Sequence, residues 1–143
     1  MSEILVNKLT GTSTAGSILV TGEGNSTTTS LQQGLAKFWI AMNGSGTPTA
    51  IDSFNVGSIT DVGTGNYKYN FSNNFSANTG YWTIGCMANS TDHLGNYVKL
   101  NMPINNADIL TSSVETSATY TGSGTTGSYD YPYVNMAGLG DLA

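Results

Sequence analysis

The chain contains no arginine, one cysteine, one histidine and three prolines among its 143 residues. Its only cations are Lys8, Lys37, Lys68 and Lys99, and charged residues make up 9% of it, against roughly 25% in an ordinary domain. With four scattered lysines and a formal net charge of -5 it cannot neutralise a phosphate backbone, which excludes nucleic acid as a partner. Cys86 alone forbids an internal disulfide. Together with His93 it still falls short of the donor set a Cys/His zinc site requires. No apolar run approaches the roughly 20 residues that span a bilayer, so membrane insertion is not expected. The opening Met1-Ser2-Glu3-Ile4 has neither the basic region nor the apolar run of a signal peptide.

Small and polar residues dominate instead: Gly, Thr, Ser and Asn supply 69 of the 143 positions. Disorder is not expected, because the 38% of apolar residues are grouped and patterned. The length fits one domain, able to bury about two thirds of the surface exposed by its unfolded chain. Low charge gives weak colloidal repulsion, a surface suited to a protein built into an assembly.

The first block reads as an extended arm or loose hairpin. Residues 3–9 and 17–21 form two short strands, followed by the tract GEGNSTTTS at 22–30, which has no apolar residue. Residues 31–43 fit two patterns. Leu31, Leu35, Phe38, Trp39 and Met42 follow a helical stripe that Ser30 could cap, whereas Phe38, Ile40 and Met42 alternate as in a strand. The expected compromise is a helical turn or irregular chain to about Gly34, then a strand from Ala36 to Asn43.

Beyond Pro48, residues 51–56 alternate, Gly57-Ser58 marks a bulge, and Asp61 to Asn66 is a hairpin loop leading into the alternating Tyr67, Tyr69 and Phe71. Tyr81 to Met87 is apolar on both faces, which predicts a central strand with Trp82 in the core, as Trp39 is expected to be. Tyr97 to Met102 is a strand closed by Pro103. Ser113 to Tyr120 is a polar strand, Gly122 to Ser128 a flexible loop, and Tyr129 to Gly138 the last strand, with Pro132 placing it at an edge or a strand start. About eight short strands with Gly/Asn turns predict an all-β fold, an antiparallel β-sandwich. An extended N-terminal arm at residues 1–35, anchoring or inter-subunit, precedes the sandwich domain at 36–143.

Catalytic chemistry finds no support. Gly122 to Gly127 matches G-x-G-x-x-G, but a dinucleotide loop must open a helix and Ser-Tyr-Asp-Tyr-Pro-Tyr follows instead. Any serine triad must use His93, which sits in a polar loop, and no G-x-S-x-G elbow is present. Glu115 is the one glutamate outside the arm, and most of the aspartates fall in turns, where they cap backbone groups. Neither Asp61–Asn66 nor Asp92–Asn96 has the ligand density of a calcium loop. Cys86, inside an apolar strand, reads as a buried inert thiol. No enzyme activity, metal or cofactor is expected. Exposed aromatics stack on sugars and build interfaces, and Tyr129, Tyr131 and Tyr133, on one face of the last strand, are the candidate glycan or partner surface.

The run Ala36-Lys-Phe-Trp-Ile-Ala-Met-Asn-Gly-Ser-Gly-Thr47, then Ile51-Asp-Ser-Phe-Asn-Val-Gly-Ser-Ile-Thr-Asp-Val-Gly-Thr-Gly-Asn-Tyr-Lys-Tyr-Asn-Phe71, resembles small β-rich tail fibre and virion structural proteins of tailed bacteriophages. The resemblance covers about residues 36–90, and the opening Ile4-Leu-Val-Asn-Lys-Leu9 is similar to starts in the same group. It implies a homotrimeric, non-enzymatic virion appendage, a short fibre or spike or a capsid-decoration protein, assembled in the host bacterial cytoplasm. The arm would bind other capsid or tail proteins. The alternative reading is a carbohydrate-binding module for a host surface glycan. The family supplies no catalytic residues to carry over.

Overall fold

The computed structural model describes residues 4–12, 18–21, 27–88, 97–101, 109–122 and 125–143. Its contacts divide the chain into two units, Met1–Leu35 and Ala36–Ala143. The first is slight. Strands β1 (Leu19–Thr21) and β2 (Thr28–Ser30) form an antiparallel ribbon with Leu19 opposite Ser30. A single helical turn, α1 (Leu31–Gly34), follows, its Leu31 N–H donating to the Ile18 carbonyl at 2.8 Å. Ser30 occupies the N-cap position, but its side chain makes no capping bond. Ile4 and Leu5 are more than four-fifths exposed.

The second unit is an antiparallel β-sandwich. Its strands are β3 (Phe38–Asn43), β4 (Thr49–Phe54), β5 (Val56–Gly63), β6 (Asn66–Phe71), β7 (Trp82–Ala88), β8 (Tyr97–Asn101), β9 (Ser113–Gly122), β10 (Thr125–Ser128) and β11 (Tyr133–Leu139). One sheet has the order β4-β3-β11-β7. The other runs β10-β9-β6-β5, with β8 also paired to β9. Period-two alternation sends Phe38, Ile40 and Met42 of β3 and Val134 and Met136 of β11 inward from the first sheet. Tyr67, Tyr69 and Phe71 of β6 and Val114, Thr116 and Ala118 of β9 meet them from the second.

Four rings tie the sheets together. Phe38 lies 4.8 Å from Phe71 and 6.0 Å from Phe75, and Phe75 stacks on Tyr81 at 4.2 Å. Phe38 needs space across the sheet, and its partner in register is Gly138. A Cβ at residue 138 would collide with the Phe38 ring.

The chain passes from one sheet to the other at Asn55, whose φ of 58° is left-handed. Its side chain secures that corner. Nδ2 donates to the Lys37 and Asn73 carbonyls at 3.0 Å each, and Oδ1 accepts the Asn73 N–H at 2.7 Å. The bulge expected at Gly57 is present as a register shift between Val56 and Ser58. At the other end, Asp130 Oδ1 accepts the Gly65 N–H at 2.6 Å and the Tyr67 hydroxyl at 3.0 Å, and Gly44 N–H donates to the Tyr131 carbonyl at 2.9 Å. One carboxylate thus joins the β5–β6 turn to the segment before β11.

Several expectations are corrected. Trp39 and Trp82 are not core residues but 37% and 79% exposed. In β3 the alternation gives the inner face to Phe38, Ile40 and Met42, so Trp39 must face out. The strand at 82–88 is an edge of its sheet, and Gly85 takes an inward position against Leu100. Much of the expected loop at 122–128 is β10, a hairpin arm of β9. The last strand begins at Tyr133 rather than Tyr129, so that Pro132 marks its start as one of the two alternatives had it, and it lies centrally, between β3 and β7, rather than at an edge.

Replacing Gly138 with alanine forces the Phe38 ring off its seat. Gly138→Ala is expected to lower the unfolding free energy by about 1–3 kcal/mol, read as a lower urea midpoint with unchanged slope. Phe38→Leu in the same background should recover part of the loss.

Candidate interaction surface

The two outer faces of the sandwich differ in chemistry. On the sheet containing β6, the pairing places Ser58 opposite Asn70, Thr60 opposite Lys68, and Lys68 opposite Glu115. These side chains satisfy one another. Asn70 Nδ2 donates to Ser58 Oγ at 3.1 Å and Thr60 Oγ1 at 3.0 Å, and Lys68 Nζ lies 3.5 Å from Glu115 Oε2. That face is finished in water.

On the sheet containing β3, the register sets Phe54 opposite Trp39, Trp39 opposite Ala137, and Ala137 opposite Ile84. One apolar row therefore crosses all four strands, and the next row adds Leu139 opposite Trp82. Phe54 is 49% exposed and Ile84 64%. Asp52, opposite Ala41, is the one charged residue in the four strands. At these exposures the three aromatics and Ile84 leave roughly 300–400 Å² of apolar side chain in contact with water, a size at which the largest patch of a monomer is often functional.

Where β7 begins, this face ends in a cleft of about 350 Å³ lined by Asn78, Thr79, Tyr81, Trp82 and Ile109. Its backing is firm. Tyr81 stacks on Phe75, and its hydroxyl lies 3.0 Å from the Leu110 carbonyl. Phe75 N–H donates to the Thr111 carbonyl at 2.8 Å and Ser76 N–H to the Asp141 carbonyl at 2.9 Å. Gly140, at φ 155°, lets the chain pass close against Tyr81 and the Gly80 carbonyl.

The tyrosine cluster expected on one strand face does not form. Tyr131 is fully buried, Tyr129 is half-buried, and Tyr133 is 54% exposed. The Tyr129 and Tyr131 rings meet edge-on at 5.0 Å, and Pro132 separates this pair from Tyr133. Residues 129–131 precede β11 and are bonded inward, with Tyr129 N–H donating to the Ala118 carbonyl at 3.2 Å, while Tyr133 opens the strand. Alternation across a proline misled the sequence reading, and the exposed tryptophans it had assigned to the core form the aromatic surface. For Trp39 the neighbouring Phe38-x-Ile40-x-Met42 pattern is consistent with an outward position once that face is packed inward, and no comparable pattern neighbours Trp82.

Asp52 and Asp61 lie in strands rather than in the turns expected of most aspartates, yet each makes a local bond, Asp52 Oδ1 accepting the Ser53 N–H at 2.8 Å and Asp61 Oδ1 the Gly63 N–H at 3.0 Å. The end of the glycine-rich run, Thr125–Ser128, is strand and leads into the segment before β11 rather than into the helix a dinucleotide loop requires. Glu3, Glu23, Asp92, His93 and Asp108 lie outside the described residues, as does the side chain of Cys86. Among the described residues no group of three or more His, Cys, Asp or Glu is placed to hold a metal. No protein-family model matches the chain, and neither a curated protein nor a solved structure matches it.

Burial raises the buried tyrosine hydroxyls. Tyr69 is pushed up to about 12 by desolvation, against the pull of its Thr116 hydrogen bond, and Tyr81 to about 12 by desolvation. Tyr67 is raised further by desolvation and then by the Asp130 hydrogen bond and charge, and Tyr131 is raised by desolvation and the nearby Tyr120 and Tyr129. Below pH 10 neither the folded nor the unfolded chain ionises these groups. Above it the unfolded chain releases protons that the native one keeps, so stability falls as pH rises from about 10 towards 12. Each protected tyrosine should contribute a slope of about 1.4 kcal/mol per pH unit there. In an absorbance titration followed together with circular dichroism, the buried tyrosines should ionise only as the fold is lost. Reversible ionisation of all eight with the fold intact would contradict their burial.

Proposed function

We propose that this chain is a non-enzymatic structural protein of a tailed-bacteriophage virion, a short trimeric fibre or spike or a capsid-decoration protein on the particle surface. The observation that supports it is the apolar row Phe54–Trp39–Ala137–Ile84 on the outside of the sandwich. The virion setting comes from the resemblance of residues 36–90. In this reading the occupant of the row is a second copy of the same chain. A face whose strands carry a single charge, Asp52, presents little like-charge repulsion to its copy, and the opposite face already has its polar groups paired. At about 25 cal/mol per Å², covering the roughly 200–300 Å² that Phe54, Trp39 and Ile84 expose in the row gives several kcal/mol per copy before the cost of association. Closed rotational symmetry then limits the assembly to a few copies.

The arm supplies the attachment. Ile4, Leu5, Val6 and Leu9 are exposed in a unit with little core of its own. Such a strip is suited to pairing with another virion component.

Two outcomes test the reading. Ile84→Asp places a charge in the middle of the row and should drop the solution mass to that of one chain, with the circular dichroism of the sandwich retained. Deleting residues 1–25 should leave a folded body that no longer incorporates into particles. If the truncated protein still incorporates, the arm is not the anchor. If Ile84→Asp assembles as the parent does, the row is not the interface.

A further inference from the structure

The geometry points to a second site, separate from assembly: the cleft at the start of β7 binds a neutral saccharide, with Trp82 as the stacking platform. Trp82 is 79% exposed, the most exposed large apolar side chain in Ala36–Ala143 among the described residues. So exposed an indole leaves its ring available to a ligand, and the surroundings indicate which kind. Asn78 and Thr79 line the same cleft and are exposed to solvent. An amide offers donors and an acceptor, and a hydroxyl offers both. An apolar plate flanked by such groups complements a pyranose ring, whose C–H face is apolar and whose rim carries hydroxyls.

The lining selects the sugar class. None of the five lining residues is charged, and the chain carries a net charge of -5. An acidic polysaccharide would find no cation among the described residues that line the cleft and would be repelled by the protein as a whole. A neutral sugar meets neither obstacle. The volume, about 350 Å³, lies at the small end of ligand sites, which run from about 300 Å³, so the cleft suits a short stretch of chain rather than a long one. The floor of the cleft beside Trp82 is preorganised. The Phe75–Tyr81 stack and the Tyr81 hydroxyl contact with Leu110 fix the floor before any ligand arrives, which reduces the ordering cost of binding.

The site differs from the tyrosine surface read from the sequence, since Tyr131 is buried and Tyr133 stands on β11. The test is calorimetric titration of the full-length protein with cellohexaose, maltohexaose and chitohexaose, with tetragalacturonic acid as the acidic comparison. At least one neutral probe should bind, little affected by salt, and the acidic probe should not. Trp82→Ala should abolish binding, Asn78→Ala should weaken it by roughly tenfold, and Tyr133→Ala should leave it unchanged. Circular dichroism establishes that each variant is folded, which the exposure of Trp82 favours. The proposal is overturned if no neutral probe binds, if binding survives Trp82→Ala, or if acrylamide fails to quench Trp82 in the assembled protein, since a copy of the chain would then occupy the cleft. Light scattering on the same samples separates the two readings: an assembled protein that binds no sugar overturns only this one, and a sugar-binding monomer only the assembly.

Discussion

The packing of Phe38, Phe71, Phe75 and Tyr81 between the sheets is the constraint on which the rest depends. These rings come from β3, from β6, from the segment after it and from the residue before β7. Bringing them together fixes the spacing of the two sheets and the side of each strand that faces in. It also requires bare backbone at defined points. Gly138 must lack a side chain because Phe38 occupies its place, and Gly140 because Tyr81 does. Aromatic pairs of this kind contribute about 0.5–1.5 kcal/mol each beyond their buried area. In a chain so rich in Ser, Thr, Asn and Gly, much of the packing energy is concentrated in few residues.

Filling the interior in this way determines what remains outside. Once β3 has committed Phe38, Ile40 and Met42 to the core, Trp39 faces water, and register carries that apolar position across to Phe54, Ala137 and Ile84. The opposite sheet shows the contrary solution, with Asn70, Ser58, Thr60, Lys68 and Glu115 engaged with one another. A sandwich with one finished face and one apolar face is what the proposed assembly requires. The reading as a virion structural protein follows from that asymmetry taken together with the family resemblance. The cleft beside Trp82 adds a recognition role where the apolar face meets a rigid turn.

Much of the fold was legible because turn chemistry and alternation agree. The hairpin from Val56 to Phe71 declared itself through Gly57, Gly63 and Gly65 and through the Tyr67, Tyr69, Phe71 period, and the change from a helical turn to a strand near Gly34 was readable from the competing patterns. The candidate surface was much less so. A period of two says that neighbours take opposite faces but not which face is inner, and β3 and β7 carry apolar residues on both. Only the partner strands decide, and Gly138 opposite Phe38 is invisible as such in the sequence. Tyr129, Tyr131 and Tyr133 looked like one face because their spacing is even, but Pro132 ends the irregular segment there. β10 was hidden in a run of Gly, Ser and Thr, where pairing to β9 outweighs weak strand propensity.

The central claim is that the row Phe54–Trp39–Ala137–Ile84, on the outer face of the β4-β3-β11-β7 sheet, is buried between copies of the chain. It is tested most directly by the mass of the full-length protein in solution, measured by light scattering behind a sizing column over a dilution series. A mass three times the 14.9 kDa of one chain, falling only at high dilution, is the result the account predicts. A mass of 14.9 kDa at every concentration would contradict it.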